Sequence, residues 1–352
     1  MELHIGRGAR RVRPLTKLAL ASAVGLALVA CSAKDDASSA PAKAPAAAPV
    51  TLAFPAIPVA AGQEDTRCVV MRLPNDRPLR VGAIKNQLGG SSHHLIVYRV
   101  NDTEERTAPF KCDPFTDTLD PAKGSPLMVT QKNEDLLTLP AGVAFSLDAH
   151  QMIRLEMHYL NPSASERTVS ATTTFTPISD DDFRDEAGFL FIGNPDIRIP
   201  AKSEWKLGPT FFEVPSELAG VKYFALTGHE HRLGTNVQVA TATGPDDPGT
   251  MIYDVPGWTW SEPKTEVFST PITLPDRGGF KFTCTWNNTT DQRVGFGESA
   301  TDEMCFFWAY YYPSQGARVC FHTKQIQAPT GRDICCPGDV YCNLVEDFLS
   351  GN

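Results

Sequence analysis

The chain has 352 residues, 42% hydrophobic and 21% charged, a composition that suits globular structure and a length that allows two domains. Its formal net charge is −9, with no basic stripe carrying interleaved aromatics, which excludes a nucleic-acid groove.

Residues 1–17 carry five Lys/Arg and one Glu and lead into an apolar run over residues 18–30. That run is too short to span a bilayer and suits the hydrophobic core of a signal peptide. Residues 28–31 (LVAC) look like a bacterial lipobox, which implies cleavage before Cys31, lipidation of its thiol and a membrane anchor. A plain secretory signal with an incidental cysteine is the alternative, and either way the chain is exported, as a lipoprotein facing the periplasm or cell exterior in the first reading. Removing residues 1–30 leaves 27 basic residues against 40 acidic ones, a net charge of −13. Setting Cys31 aside, eight cysteines remain, an even number in a compartment that permits disulfides.

Residues 31–50 are rich in Ala, Pro, Ser and Lys and predict a flexible tether. Beyond them, short apolar alternations (LIVYRV at 95–100, IRLEMHY at 153–159, NVQVA at 236–240, FKFTCTW at 280–286) are separated by Pro, Gly, Asn and Asp clusters. No long stretch has a helical period, so the reading is all-β, as β-sandwiches. The acidic, turn-rich segment 176–186 (TPISDDDFRDE) places a boundary between domains at 51–180 and 181–352.

Five of the eight histidines fall in three short blocks. In residues 227–234 (TGHEHRLG), His229 and His231 flank one residue and would project from one face of a strand as a two-nitrogen metal clip. His93 and His94 are adjacent at a strand entrance; both reach one metal only if a bulge re-aims one of them. His158 shares a polar face with Arg154 and Glu156, opposite Ile153, Leu155, Met157 and Tyr159. His150 reads as a solvated loop residue, and His322 has no evident partner. In residues 303–312, alternation puts Met304, Phe306, Trp308, Tyr310 and Tyr312 on one face and Cys305, Phe307, Ala309 and Tyr311 on the other. A methionine there is ordinarily core filling, but beside an H-x-H clip its thioether is a soft donor that favours Cu(I) over zinc.

HHLIVYRV, EMHYLNP, TGHEHRLG and TDEMCFFWAYYYP, in that order, resemble the copper type II, ascorbate-dependent monooxygenases, over about residues 68–320. The resemblance implies two β-sandwich (jelly-roll-like) domains facing across a solvent cleft, with two coppers per chain. It implies that His93, His94 and His158 hold an electron-transfer copper, while His229, His231 and Met304 form the catalytic, oxygen-binding site. Ascorbate or another one-electron reductant, O2 and a small organic substrate would be its reactants, and a monomer is expected. It also implies disulfides Cys68–Cys112 and Cys284–Cys305, the second holding Met304 toward the cleft. Cys320, Cys335, Cys336 and Cys342 lie beyond the family pattern, and their three possible pairings stay open.

The chain departs from the peptide-amidating members at substrate positions. Thr227 stands where an arginine would pair a carboxylate, Trp308 replaces a tyrosine, and Glu156 replaces a glutamine. These changes predict a neutral or cationic, largely apolar or aromatic substrate, contacted by Thr227, Phe306 and Trp308, with Glu156 facing a cation. A copper-binding or storage lipoprotein without turnover is the second function that the ligand types allow.

Overall fold

The computed structural model describes residues 45–90, 92–112, 123–297, 299–326 and 329–345. The expected signal peptide, Cys31 and most of the expected tether lie outside these residues.

Strand after strand forms where the sequence alternates. The first half contains β1 (Val50–Val59), β2 (Glu64–Arg72), β3 (Leu79–Gly89), β4 (Ser92–Val100), β5 (Arg106–Lys111), β6 (Gly124–Thr130), β7 (Glu134–Thr138), β8 (Val143–Leu147), β9 (Met152–Leu160) and β10 (Arg167–Ile178). After β11 (Asp185–Glu186) come β12 (Gly188–Gly193), β13 (Arg198–Ile199), β14 (Ser203–Glu213), β15 (Lys222–His229), β16 (Gly234–Ala242) and β17 (Thr250–Asp254). The last are β18 (Glu266–Ile272), β19 (Gly279–Asn288), β20 (Val294–Gly295), β21 (Phe306–Tyr312), β22 (Arg318–Thr323) and β23 (Arg332–Cys336). Helix among the described residues is confined to a 3-10 turn, Ser216–Leu218, and an α-helical turn over residues 342–345.

In the first half, one sheet runs β1-β10-β3-β8-β11 with β7 on β3, and a second runs β5-β2-β9-β4-β6. Strand β10 has one core face, burying Val169, Ala171, Thr173 and Phe175 while the residues between them are partly exposed. Strand β11 pairs with β8, so the chain leaves the first half's sheets only after Glu186. In the second half, a sheet ordered β18-β15-β21-β12-β22-β23 accompanies one ordered β14-β19-β16-β17, with β13-β20 as a small ribbon.

Strand β21 positions the site because both of its faces are buried. Cys305, Phe307, Ala309 and Tyr311 pack with Phe280, Phe282, Cys284 and Trp286 in the core of the second half. Met304, Phe306, Trp308 and Tyr310 join a different buried cluster, which also holds Leu95, Ile96, Val129 and Met157 of the first half. The two faces follow the predicted alternation, and the cluster on the Met304 face belongs to both halves.

The expected solvent cleft is therefore narrowed to a small pocket lined by both halves. The polar face of β9 is also less solvated than its residues suggest. Ile96 lies opposite Glu156, His94 opposite His158 and Tyr98 opposite Arg154, and all six are buried. Its charges are matched internally: Glu156 accepts a hydrogen bond from the Tyr98 hydroxyl at 2.9 Å, and the Arg154 guanidinium lies 4.3 Å from that ring's centroid.

Four disulfides close the fold: Cys68–Cys112, Cys284–Cys305, Cys320–Cys335 and Cys336–Cys342. The first two are the pairs implied by the resemblance, and the tail takes one of its three open pairings. Adjacent Cys335 and Cys336 contact opposite cores, so they bond in different directions. Such cross-links belong to an oxidising setting, extracellular or periplasmic.

Candidate metal centre

The neighbouring histidines of β4 solve their geometric problem with a bulge. Ser92 lies opposite Tyr159 and His94 opposite His158, with the register shifting between them, so His93 is the extra residue. The turn that feeds this strand needs Gly90, whose φ is +68° and where a Cβ would collide with the Thr168 carbonyl. One ring nitrogen from each of His93, His94 and His158 lies within 4.8 Å of the others. Ring centroids are 5.3 Å apart for His93 and His158 and 4.9 Å for His94 and His158.

The clip forms at the end of β15. His229 lies opposite Phe306, and the His229 and His231 rings sit 5.2 Å apart. The His229 Nε2 is 3.2 Å from the Met304 Sδ. His231 Nδ1 lies 3.1 Å from the Asp302 carbonyl, which can only accept, so Nδ1 carries the proton and Nε2 keeps its lone pair. His229 Nδ1 lies 2.9 Å from Gln131 Oε1, which leaves its Nε2 free in the same way.

Burial shapes the electrostatics. It pushes the His93 imidazole down to about 3 and His231 to about 4, and it drives His94 and His229 well below the usual histidine range. These four rings are neutral at pH 7, the form that ligates a metal. Burial also raises Glu303 to about 7, and it raises Glu230, with a further push from Glu303. Glu303 nevertheless has three donors: His231 N at 3.0 Å, Leu233 N at 2.7 Å and Trp286 Nε1 at 2.8 Å. It fixes the clip's backbone beside Met304.

The two ligand sets are neighbours. The His93 and His231 rings are 6.4 Å apart, and Trp260 of the second half lies 5.2 Å from His93. A pocket between the halves is lined by His94, Ile96, Val129, Gln131, Phe191 and Trp308 together with the clip and Met304. Its lining mixes neutral nitrogen and sulfur donors with apolar and aromatic walls.

A soft, buried N/S donor set with unpartnered imidazole nitrogens fits copper. His93 Nε2 and His94 Nε2 are buried without a hydrogen-bond partner, as nitrogens that await a ligand would be.

Of the expected substrate contacts, Trp308 lines the pocket. Thr227 instead shares a hydroxyl hydrogen bond with Thr265 at 2.9 Å, Phe306 stacks on Phe191 at 4.8 Å, and Glu156 is fully buried against Tyr98. None of these three is part of the pocket wall. His150 is a loop residue 3.6 Å from Asp76, and His322 does have a partner, Asp333 at 2.7 Å. Gln131 and Glu64 were not legible, since their contacts lie about a hundred residues or more away in sequence. Glu303 had one signal, its place beside Met304.

Fold and site together define an all-β protein with a buried cluster of nitrogen and sulfur donors that could hold a metal. Residues 185–330, which include His229, His231 and Met304, match the family described as copper type II ascorbate-dependent monooxygenase, C-terminal domain. The match supports a copper-dependent monooxygenase role. Among solved structures, the chain is similar to PNGase F, a glycosylasparaginase from Flavobacterium meningosepticum. That likeness has 12% identity and a TM-score of 0.35, covering 76% of this chain and 97% of that one. The major capsid protein P2 from Bacteriophage PM2 aligns at 10% identity and a TM-score of 0.33, over 75% and 97% of the two chains. Neither likeness bears on function.

Proposed function

We propose that the chain is a copper-dependent monooxygenase that hydroxylates a C–H bond of a small organic substrate, using O2 and an external reductant such as ascorbate. Residues 51–180 and 181–352 act as its two copper-holding domains, with Asp185 and Glu186 of the second still paired to a sheet of the first. The observation that carries this reading is two neighbouring donor sets, three imidazoles with nitrogens within 4.8 Å and a His229 nitrogen 3.2 Å from the Met304 sulfur, the second set sharing a pocket with His94 of the first.

Copper there would supply one-electron redox chemistry and a place for dioxygen to bind. The residues do the rest: Asp302 and Gln131 keep the clip's Nε2 atoms unprotonated, Glu303 holds the clip beside the thioether, and the aromatic wall excludes water. The pocket wall carries no carboxylate, guanidinium or ammonium among the described residues, which favours a neutral, apolar or aromatic substrate. The cation contact expected of Glu156 has no support from its position, because Tyr98 and the buried β9 face enclose it.

Two experiments test the assignment. The purified protein is expected to bind two coppers, and His158→Ala and Met304→Ala are each expected to weaken a different one. Oxygen uptake with ascorbate should require copper and an uncharged aromatic substrate. Glycine-extended peptides should be poor substrates, and efficient turnover of them with a strict need for the free carboxylate would overturn the substrate reading. The burial of His94, His158, His229, His231 and Met304 also suits a copper store without turnover. A store would bind both ions and consume no oxygen.

A further inference from the structure

We propose that Glu64 is a positioning residue shared by the two ligand sets: it orients His158 and ties it to the segment that carries Asp302, Glu303 and Met304. The inference rests on the copper reading given above.

The geometry begins in the second sheet. Thr66 lies opposite His158, and Glu64, two residues earlier in β2, is on the same face as its diagonal neighbour. The Glu64 Oε1 accepts a hydrogen bond from His158 Nε2 at 3.0 Å. A carboxylate can only accept here, so Nε2 carries the proton, and Nδ1 is left as the nitrogen with a lone pair. Metal-ligating histidines commonly have their other ring nitrogen fixed by a carboxylate in this way.

The same carboxylate reaches across to the second half. Oε1 also accepts from the Ala300 backbone N–H at 2.9 Å, and Oε2 accepts from the Ser299 hydroxyl at 3.2 Å. Residues 299–302 form a turn closed by the Asp302 N–H on the Ser299 carbonyl at 2.9 Å. Two residues further on is Met304, and within the turn the Asp302 carbonyl accepts a hydrogen bond from His231 Nδ1–H. One side chain from the first half is thus one or two contacts away from a ligand of each set. Any shift of Glu64 moves His158 directly and Met304 and His231 through the turn, so the affinities of the two sets are linked.

The test separates position from charge. Glu64→Gln keeps an acceptor for His158 and Ala300 and a group that can bond Ser299, but removes the charge. Glu64→Asp keeps the charge but withdraws it by one methylene, and Glu64→Ala removes both. Copper(I) affinity is read by competition with a chromophoric chelator, and copper–sulfur scattering in X-ray absorption reports the Met304 set. Folding is checked by circular dichroism. In the metal-free protein, nitrogen-15 NMR reads the His158 tautomer, and hydrogen exchange reads the Ala300 amide.

Glu64→Ala is expected to weaken the three-histidine set about ten- to a hundredfold. It should also weaken the Met304 set, which Glu64 does not touch. Glu64→Asp should resemble it, and Glu64→Gln should resemble wild type. Gln failing while Asp succeeds would mean that charge matters and position does not, which overturns the proposal. So would unchanged copper affinity in Glu64→Ala, and an effect confined to the three-histidine set would overturn the tie between the sets. If Glu64→Ala does not fold, the Gln–Asp comparison decides alone. Wild type that binds no copper would remove the copper reading, while the His158 tautomer and Ala300 protection would still test the tie itself.

Discussion

Single side chains behind the ligands decide whether the donor atoms converge. Glu303 satisfies His231 N, Leu233 N and the Trp286 indole, all in a buried setting. Removing it strands three buried donors at roughly 1–3 kcal/mol each, so Glu303→Ala should cost at least about 3 kcal/mol in urea denaturation of the metal-free protein. A loss below 1 kcal/mol would show that those donors find other partners. Gln131→Ala should leave the His229 Nδ1–H without its acceptor and weaken copper at the Met304 set, leaving the three-histidine set unchanged. Equal weakening of both sets would contradict that local role. The convergence of the histidine side chains was legible in the sequence because histidine is rare and its spacing matches strand geometry; the bulge at His93 is what adjacency demanded. Their supports were not legible. A glutamine or a glutamate carries no signal until folding brings its distant partner to it.

At the scale of elements, β21 was legible in full, since a strictly alternating run of large residues fixes both faces at once. The Cys284–Cys305 bridge joins it to β19 and encloses 21 residues of separation. In the chain-entropy model, a loop of that size stabilises by about 3 kcal/mol. The double substitution Cys284→Ala, Cys305→Ala should therefore lower denaturation stability by about that amount and weaken copper–sulfur ligation, because residue 305 anchors Met304. Retained sulfur ligation in the double variant would assign the anchoring to Glu303 alone. The polar face of β9 was half legible. Alternation sorted Arg154, Glu156 and His158 onto one side, but nothing local told that a second sheet would cover them.

For the whole molecule, burial of neutral histidines controls the response to acid. His93, His94, His229 and His231 have folded-state values below the ordinary 6.5, so the unfolded chain binds more protons than the folded one as pH falls through that value. Each such ring costs about 1.4 kcal/mol per pH unit until its folded value is reached, which for His93 is about 3 and for His231 about 4. Glu303, raised to about 7, and Glu230, raised as well, act in the opposite sense above their unfolded value near 4.5, but these two carboxyls are outnumbered by four rings. The metal-free protein should lose stability steadily from pH 6.5 to 4, measured by chemical denaturation. A flat or rising profile toward acid would mean that the rings are solvated. The all-β class was legible from texture alone. The close approach of the two ligand sets was not, since it depends on how large side chains of one sheet fit those of another.

The pairing of β12 with β22 has a consequence in time. Leu190 lies beside Arg318 and Ile192 beside Cys320, partners separated by more than a third of the chain, and β21 sits on the other edge of β12. Contacts of such long sequence range form slowly. While the polypeptide is being made, the sheet that presents His229 and Met304 cannot close, because its last strands have not yet been synthesised. Its bridges to Cys305, Cys320 and Cys336 wait for an oxidant as well. Assembly thus has an order: β21 and β22 must be made before β12 gains its neighbours and the sheet that carries His229 closes.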